Sequence, residues 1–147
     1  EWELQKLAWL RQQQALSGGD TKTSFPYPLT ECFEGILDRC AGECVLKDPE
    51  VSRHVITTLH HFDGDRYKLG AYVVMPNHVH VLFRTMSEKN LQNIVKTWKG
   101  YSARQINKYL GKAGAFWQNE YWDRMLRGPR DLDFYMNYIC ENPVKAC

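Results

Sequence analysis

Arg66-Tyr67-Lys68-Leu69-Gly70-Ala71-Tyr72-Val73-Val74-Met75, then Pro76-Asn77, then His78-Val79-His80-Val81-Leu82-Phe83, is the stretch from which the fold can be read. Both arms are rich in β-branched and aromatic residues, and a Pro-Asn turn signal parts them, so the pattern predicts a β-hairpin. Side chains in a strand alternate between faces, which puts His78 and His80 side by side on one face and Val79 and Val81 on the other. Neutral imidazole is a common ligand for divalent metals. Two ligands do not define a metal site, however, and the same pattern suits one solvent-facing histidine beside another bonded to a backbone carbonyl.

Helical periodicity flanks the hairpin. Asp48 to Phe62 repeats through Val51, Val55, Ile56 and Leu59, and Asn90 to Leu110 repeats through Leu91, Ile94, Val95, Trp98, Ile106, Tyr109 and Leu110. Earlier segments, Trp2 to Leu16 and Leu29 to Arg39, carry the same signal on either side of a turn-rich loop. Phe116 to Leu126 is aromatic and reads as extended or irregular. A final helix is expected from Asp131 to Asn142, with Pro143 stopping it. At about 100° per residue, Leu132, Tyr135, Met136 and Ile139 form its core stripe, and Tyr138 falls to one side of that stripe. Asn142 lies one turn beyond Tyr138, so a phenol and an amide oxygen are presented together. A surface tyrosine and a helix-terminal asparagine would show the same pattern. Helices around a hairpin make an α+β fold.

The chain has 147 residues, 19 Lys+Arg and 17 Asp+Glu, a net charge of +2 that excludes a polycationic tail. Its length fits one domain, 1–147. The charge is uneven: residues 89–130 hold nine Lys/Arg against Glu120 and Asp123, so that stretch is +7 and the remainder −5. Such polarity suits an anionic partner, nucleic acid foremost. Lys96, Lys99, Arg104 and Lys108 could meet phosphates, with Gln118 and Arg127 as weaker candidates and nearby aromatics such as Tyr101 for stacking. A lysine-rich helix side is equally a solvated face. Five irregularly spaced cysteines do not resemble a secreted disulfide framework and place the protein in the cytoplasm. Cys40-x-x-x-Cys44 would be half a zinc site whose second half is missing. No apolar run approaches the roughly 18–20 residues of a membrane span.

Val73 to Leu82, with its Pro-Asn-His-Val-His core, resembles the histidine-hydrophobic-histidine (HUH) motif of single-tyrosine DNA transposases, in the form typical of REP-associated tyrosine transposases. His61 to Tyr67, Trp98-Lys99 through Ile106, Phe116-Trp117-Gln118, and Tyr138-Ile139 ahead of Asn142 to Ala146 are similar to the same family, over roughly residues 44–147. The resemblance implies a ferredoxin-like antiparallel sheet backed by helices, a divalent metal (Mg²⁺ or Mn²⁺), and cleavage of single-stranded, hairpin-forming DNA. It assigns His78, His80 and Asn142 as metal ligands and Tyr138 as the nucleophile. The family's fold begins with a strand for which this chain has no evident counterpart. Its members are monomers or homodimers.

The leading expectation is therefore a transposase that cuts and rejoins DNA by transesterification through a phosphotyrosine. Two others stand beside it: a domesticated single-strand-binding module that no longer cuts, and a metal-dependent hydrolase in which the histidines activate water.

Overall fold

A computed structural model describes residues 42–86 and 90–145, the last three as backbone only. After a 3₁₀ turn at Val45–Lys47 come α1 (Pro49–His61), β1 (Tyr67–Val74), β2 (Val79–Thr85), α2 (Leu91–Leu110) and α3 (Pro129–Lys145). The fold is α+β, and the run α1-β1-β2-α2 is the inner part of the β-α-β-β-α-β ferredoxin-like order. The expected helices at 2–16 and 29–39, and the question of a first strand, fall outside the described residues.

Local chemistry sets the ends of the helices. Asp48 caps α1 by accepting a hydrogen bond from the Glu50 amide at 2.8 Å, with Pro49 in the first turn. Asn90 does the same for α2 through the Gln92 amide, and Gly111 ends that helix with φ +63°, a left-handed value that glycine adopts without strain. The strands pair antiparallel from Tyr67↔Thr85 to Val74↔Val79, with one extra β1 residue between Leu69 and Tyr72. That bulge decides the layering. Tyr67 and Leu69 before it, and Tyr72 and Val74 after it, all face α1 and α2, which strict alternation would forbid. Gly70 lies there because an added Cβ would stand 3.0 Å from the Leu82 carbonyl oxygen.

The sheet therefore has a core on each face. On one side Val51, Val55 and Leu59 of α1 meet Tyr67, Leu69 and, from α2, Ile94, Trp98 and Ile106, with Val79 and Val81 packed against them. On the other, Ala71 and Leu82 meet Leu132, Met136 and Ile139 of α3. Buried polar atoms in the first core are paired: the Tyr67 hydroxyl donates to the Leu59 carbonyl at 2.7 Å and accepts from the Trp98 indole at 2.8 Å. Residues 112–126 form no helix or strand and are tied to α2. Trp117 donates its indole N–H to Ser102 Oγ at 2.8 Å, and Lys99 donates to the Asn119 carbonyl at 3.0 Å.

Three expectations are corrected. Tyr109 is 49% exposed, its ring beside His54 and its hydroxyl donating to Asp48 Oδ2, so it lies at the rim of the α1–α2 contact and not inside it. Tyr135 is half-buried at the edge of the α3 stripe, under the Arg124 guanidinium, and is not a core residue. Most tellingly, α3 runs from Pro129 through Pro143 to Lys145. Pro129 fits the first turn, where its missing N–H costs nothing. Pro143 removes one hydrogen bond near the end of a helix already fixed by packing, and that loss is too small to end it.

Candidate metal and nucleophile site

The hairpin turn fixes the histidines. The Met75 amide donates to the His78 carbonyl at 2.8 Å, closing a tight turn over Pro76 and Asn77, and the Leu46 amide anchors the Pro76 carbonyl from outside. His78 precedes β2 and His80 stands within it, opposite Val73. As the alternation predicts, the two imidazoles lie together, 4.7 Å apart and nearly perpendicular, with their Nε2 atoms 3.0 Å from each other. The Tyr138 ring meets His80 edge to face at 5.3 Å, delivered from α3 across the second core. Asn142, one turn further along α3, is 1% exposed, and neither atom of its amide has a hydrogen-bond partner among the described residues.

Burial, and secondarily the neighbouring His78, lower the His80 pKa from its ordinary 6.5 to about 4, so its imidazole is neutral at physiological pH. Asn77 adds a contact that the sequence reading assigned only to a turn. Its Oδ1 lies 2.7 Å from His78 Nδ1. A carbonyl oxygen only accepts, so Nδ1 carries the proton and Nε2 keeps a lone pair facing His80. The available signal was an amide immediately before the first histidine. Arg84 was also missed. It shares the His80 face of β2 and buries one guanidinium nitrogen with no hydrogen-bond partner among the described residues.

A divalent cation fits these donors. Two adjacent ligands at about 2.1 Å on an octahedral ion stand about 3.0 Å apart, the separation of the two Nε2 atoms. Among the described residues no third His, Cys, Asp or Glu joins the two histidines, so a third protein ligand here would be of another type, and the buried Asn142 amide has an oxygen without a partner. A buried amide left unpaired costs stability, which ligation would recover.

The basic candidates do not join this cluster. Lys96, Lys99, Arg104 and Lys108 lie along α2, on the layer opposite α3. Lys99 is engaged with the 112–126 segment, while Gln118 and Arg127 are exposed, with the Arg127 amide donating to Asp131 Oδ2. No described helix is long and apolar enough to cross a membrane.

A hairpin presenting two imidazoles to a helix-borne tyrosine is the arrangement expected of single-tyrosine transposases, and the chain belongs to the IS200-like transposase family, which it matches over residues 44–142. It is similar to a REP-associated tyrosine transposase of Escherichia coli K12, at 29% identity over 82 residues, 54% of this chain and 46% of that one. A Haemophilus influenzae protein provisionally named a REP-associated tyrosine transposase is 26% identical over 85 residues, 51% of this chain and 48% of that one. The chain thus spans about half the length of these curated relatives. No solved structure matches it.

Proposed function

We propose that the protein cleaves and rejoins single-stranded DNA, hairpin-forming strands in particular, with Tyr138 as nucleophile and a Mg²⁺ or Mn²⁺ held by His78, His80 and Asn142, in one domain. The observation that carries this reading is the cluster of His78, His80 and Tyr138 rings, with the buried, unpartnered Asn142 amide one turn beyond Tyr138 on α3. When bound, the cation supplies Lewis-acid charge to the scissile phosphate and favours ionisation of a phenol whose ordinary pKa is near 10. His78 Nε2, His80 Nε2 once its proton moves to Nδ1, and Asn142 Oδ1 would form the binding face. Asn77 holds His78 in the ligating tautomer and is a positioning residue. Arg84 offers charge to the strand along the same sheet face.

Tyr138 Oη forms a bond to phosphorus as the bond to the adjoining sugar oxygen breaks, and that oxygen leaves as a hydroxyl after taking up a proton. The tyrosine is joined to one DNA end and the other end is free. Attack by a hydroxyl of another strand reverses the exchange without ATP, which makes the step a transfer as well as a cut. The test is incubation with labelled single-stranded DNA and Mn²⁺ followed by denaturation. A covalent adduct that disappears in Tyr138→Phe supports the reading. Binding without adduct would make the chain a binding module, and cutting that survives Tyr138→Phe would make it a hydrolase.

A further inference from the structure

We infer that the extra β1 residue, Gly70, is a positioning residue for the candidate site: its bulge turns the histidine half of the hairpin toward Tyr138 on α3. This deepens the reading above and rests on it for the role of Tyr138. Neither core needs the residue. Leu69, Tyr72 and Val74 face α1 and α2, while Ala71 and Val73 face α3. With Gly70 removed, Leu69, Ala71, Tyr72, Val73 and Val74 would alternate between those same faces in an unbroken ladder. Ala71 would then fall opposite Leu82, between the Leu69↔Phe83 and Tyr72↔Val81 pairs. The strand therefore carries one residue more than its packing requires, at an interior position where glycine weakens a strand. Space selects the glycine: its φ is outside the left-handed region, and a Cβ would stand 3.0 Å from the Leu82 carbonyl oxygen.

The place of the extra residue points to its role. A bulge bends its strand and increases the local right-handed twist. The hairpin before it is held against α2, with the Tyr67 hydroxyl accepting from the Trp98 indole at 2.8 Å and the Phe83 ring 4.7 Å from that of Trp98. The hairpin beyond it carries the Pro76-Asn77 turn, His78 and His80. The helix that bears Tyr138 packs on the pivot itself, since Ala71 in the bulge and Leu82 opposite it meet Leu132, Met136 and Ile139. Twist at Gly70 thus sets the angle between the histidines and α3, and leaves the histidines fixed to each other by their shared strand and turn. His80 stands about 7 Å along the strand from Leu82, and a reacting constellation tolerates roughly 10–20° of misorientation. The added twist brings the His80 and Tyr138 rings to their 5.3 Å contact.

The experiment deletes Gly70 from the full chain and reads structure and rate separately. Metal-free protein should keep the wild-type Tm and the nuclear Overhauser contact between the His78 and His80 rings, and lose the one between His80 and Tyr138. With Mn²⁺ and labelled single-stranded DNA, adduct formation at saturating DNA should slow about a hundredfold, the scale of a misplacement of about 1 Å. The DNA concentration giving half the maximal rate should not change. A deletion variant that keeps the His80–Tyr138 contact, or forms adduct at the wild-type rate, would overturn the inference. So would a lowered Tm, which would make the bulge a requirement of the fold, and so would loss of both ring contacts, which would make the change a general loosening. The cleavage reading fails separately: a wild type that forms no Tyr138 adduct, yet loses only the His80–Tyr138 contact on deletion, keeps the positioning and loses the chemistry.

Discussion

Replacing Asn142 with leucine should stabilise the metal-free protein. The side chain is 1% exposed with both amide atoms lacking partners among the described residues, and each such atom carries an uncompensated loss of hydration. Leucine has the same number and branching of side-chain heavy atoms, so it fills the space without needing hydrogen bonds. Buried unsatisfied polar groups cost about 1–3 kcal/mol. A gain of about 2 kcal/mol raises Tm by roughly 6 °C for a chain near this size. The assay is thermal unfolding followed by circular dichroism, in chelator and then in excess Mn²⁺. Wild type should rise on adding Mn²⁺, by about 3 kcal/mol at a hundredfold excess over Kd, and Asn142→Leu should lose most of that rise. A Tm lowered by the substitution in chelator would show that the fold itself satisfies the amide. An undiminished response to Mn²⁺ would refute Asn142 as a ligand.

Three further outcomes follow from the same contacts. His80 titrates near 4 in the folded chain and near 6.5 unfolded, so its contribution is complete above pH 6.5 and is lost as pH falls toward 4, about 3 kcal/mol in all. Urea melts of chelated wild type across that window should show the decline and His80→Gln should flatten it; parallel curves would disprove the assignment. Asn77→Ala should weaken Mn²⁺ binding by about 10–100-fold in calorimetry, the usual scale for losing the group that holds a ligating histidine, and Asn77→Asp, which keeps the acceptor, should recover it. Ser102→Ala removes the acceptor for the Trp117 indole and should cost about 1–2 kcal/mol, with tryptophan emission shifted to the red; unchanged emission would mean that residues 112–126 hold by other contacts.

Much of this was legible in the sequence because its signals were local. The hairpin followed from β-rich arms around Pro76-Asn77, the shared face of His78 and His80 from alternation, and the span of α2 from its four-residue repeat. What escaped depended on tertiary context. Periodicity put Tyr109 and Tyr135 inward, but it cannot see where an opposing layer ends. Pro143 looked like a stop because the local rule ignores how firmly α3 is already packed. The Gly70 bulge, which keeps Tyr72 and Val74 on the side of Tyr67 and Leu69, is invisible to simple alternation. In the site, sequence supplied the residue types, while the Asn77 contact and the burial of Asn142 required three dimensions. Lys96, Lys99, Arg104 and Lys108 lie along α2, and their linear position between histidines and tyrosine did not place them beside either.

The most direct measurement is anomalous diffraction from crystals of the full chain grown with Mn²⁺. The account predicts one strong manganese peak bonded to His78 Nε2, His80 Nε2 and Asn142 Oδ1, with the Tyr138 hydroxyl facing the open side. A peak elsewhere, or an intact His78–His80 hydrogen bond with no metal at saturating Mn²⁺, would contradict it.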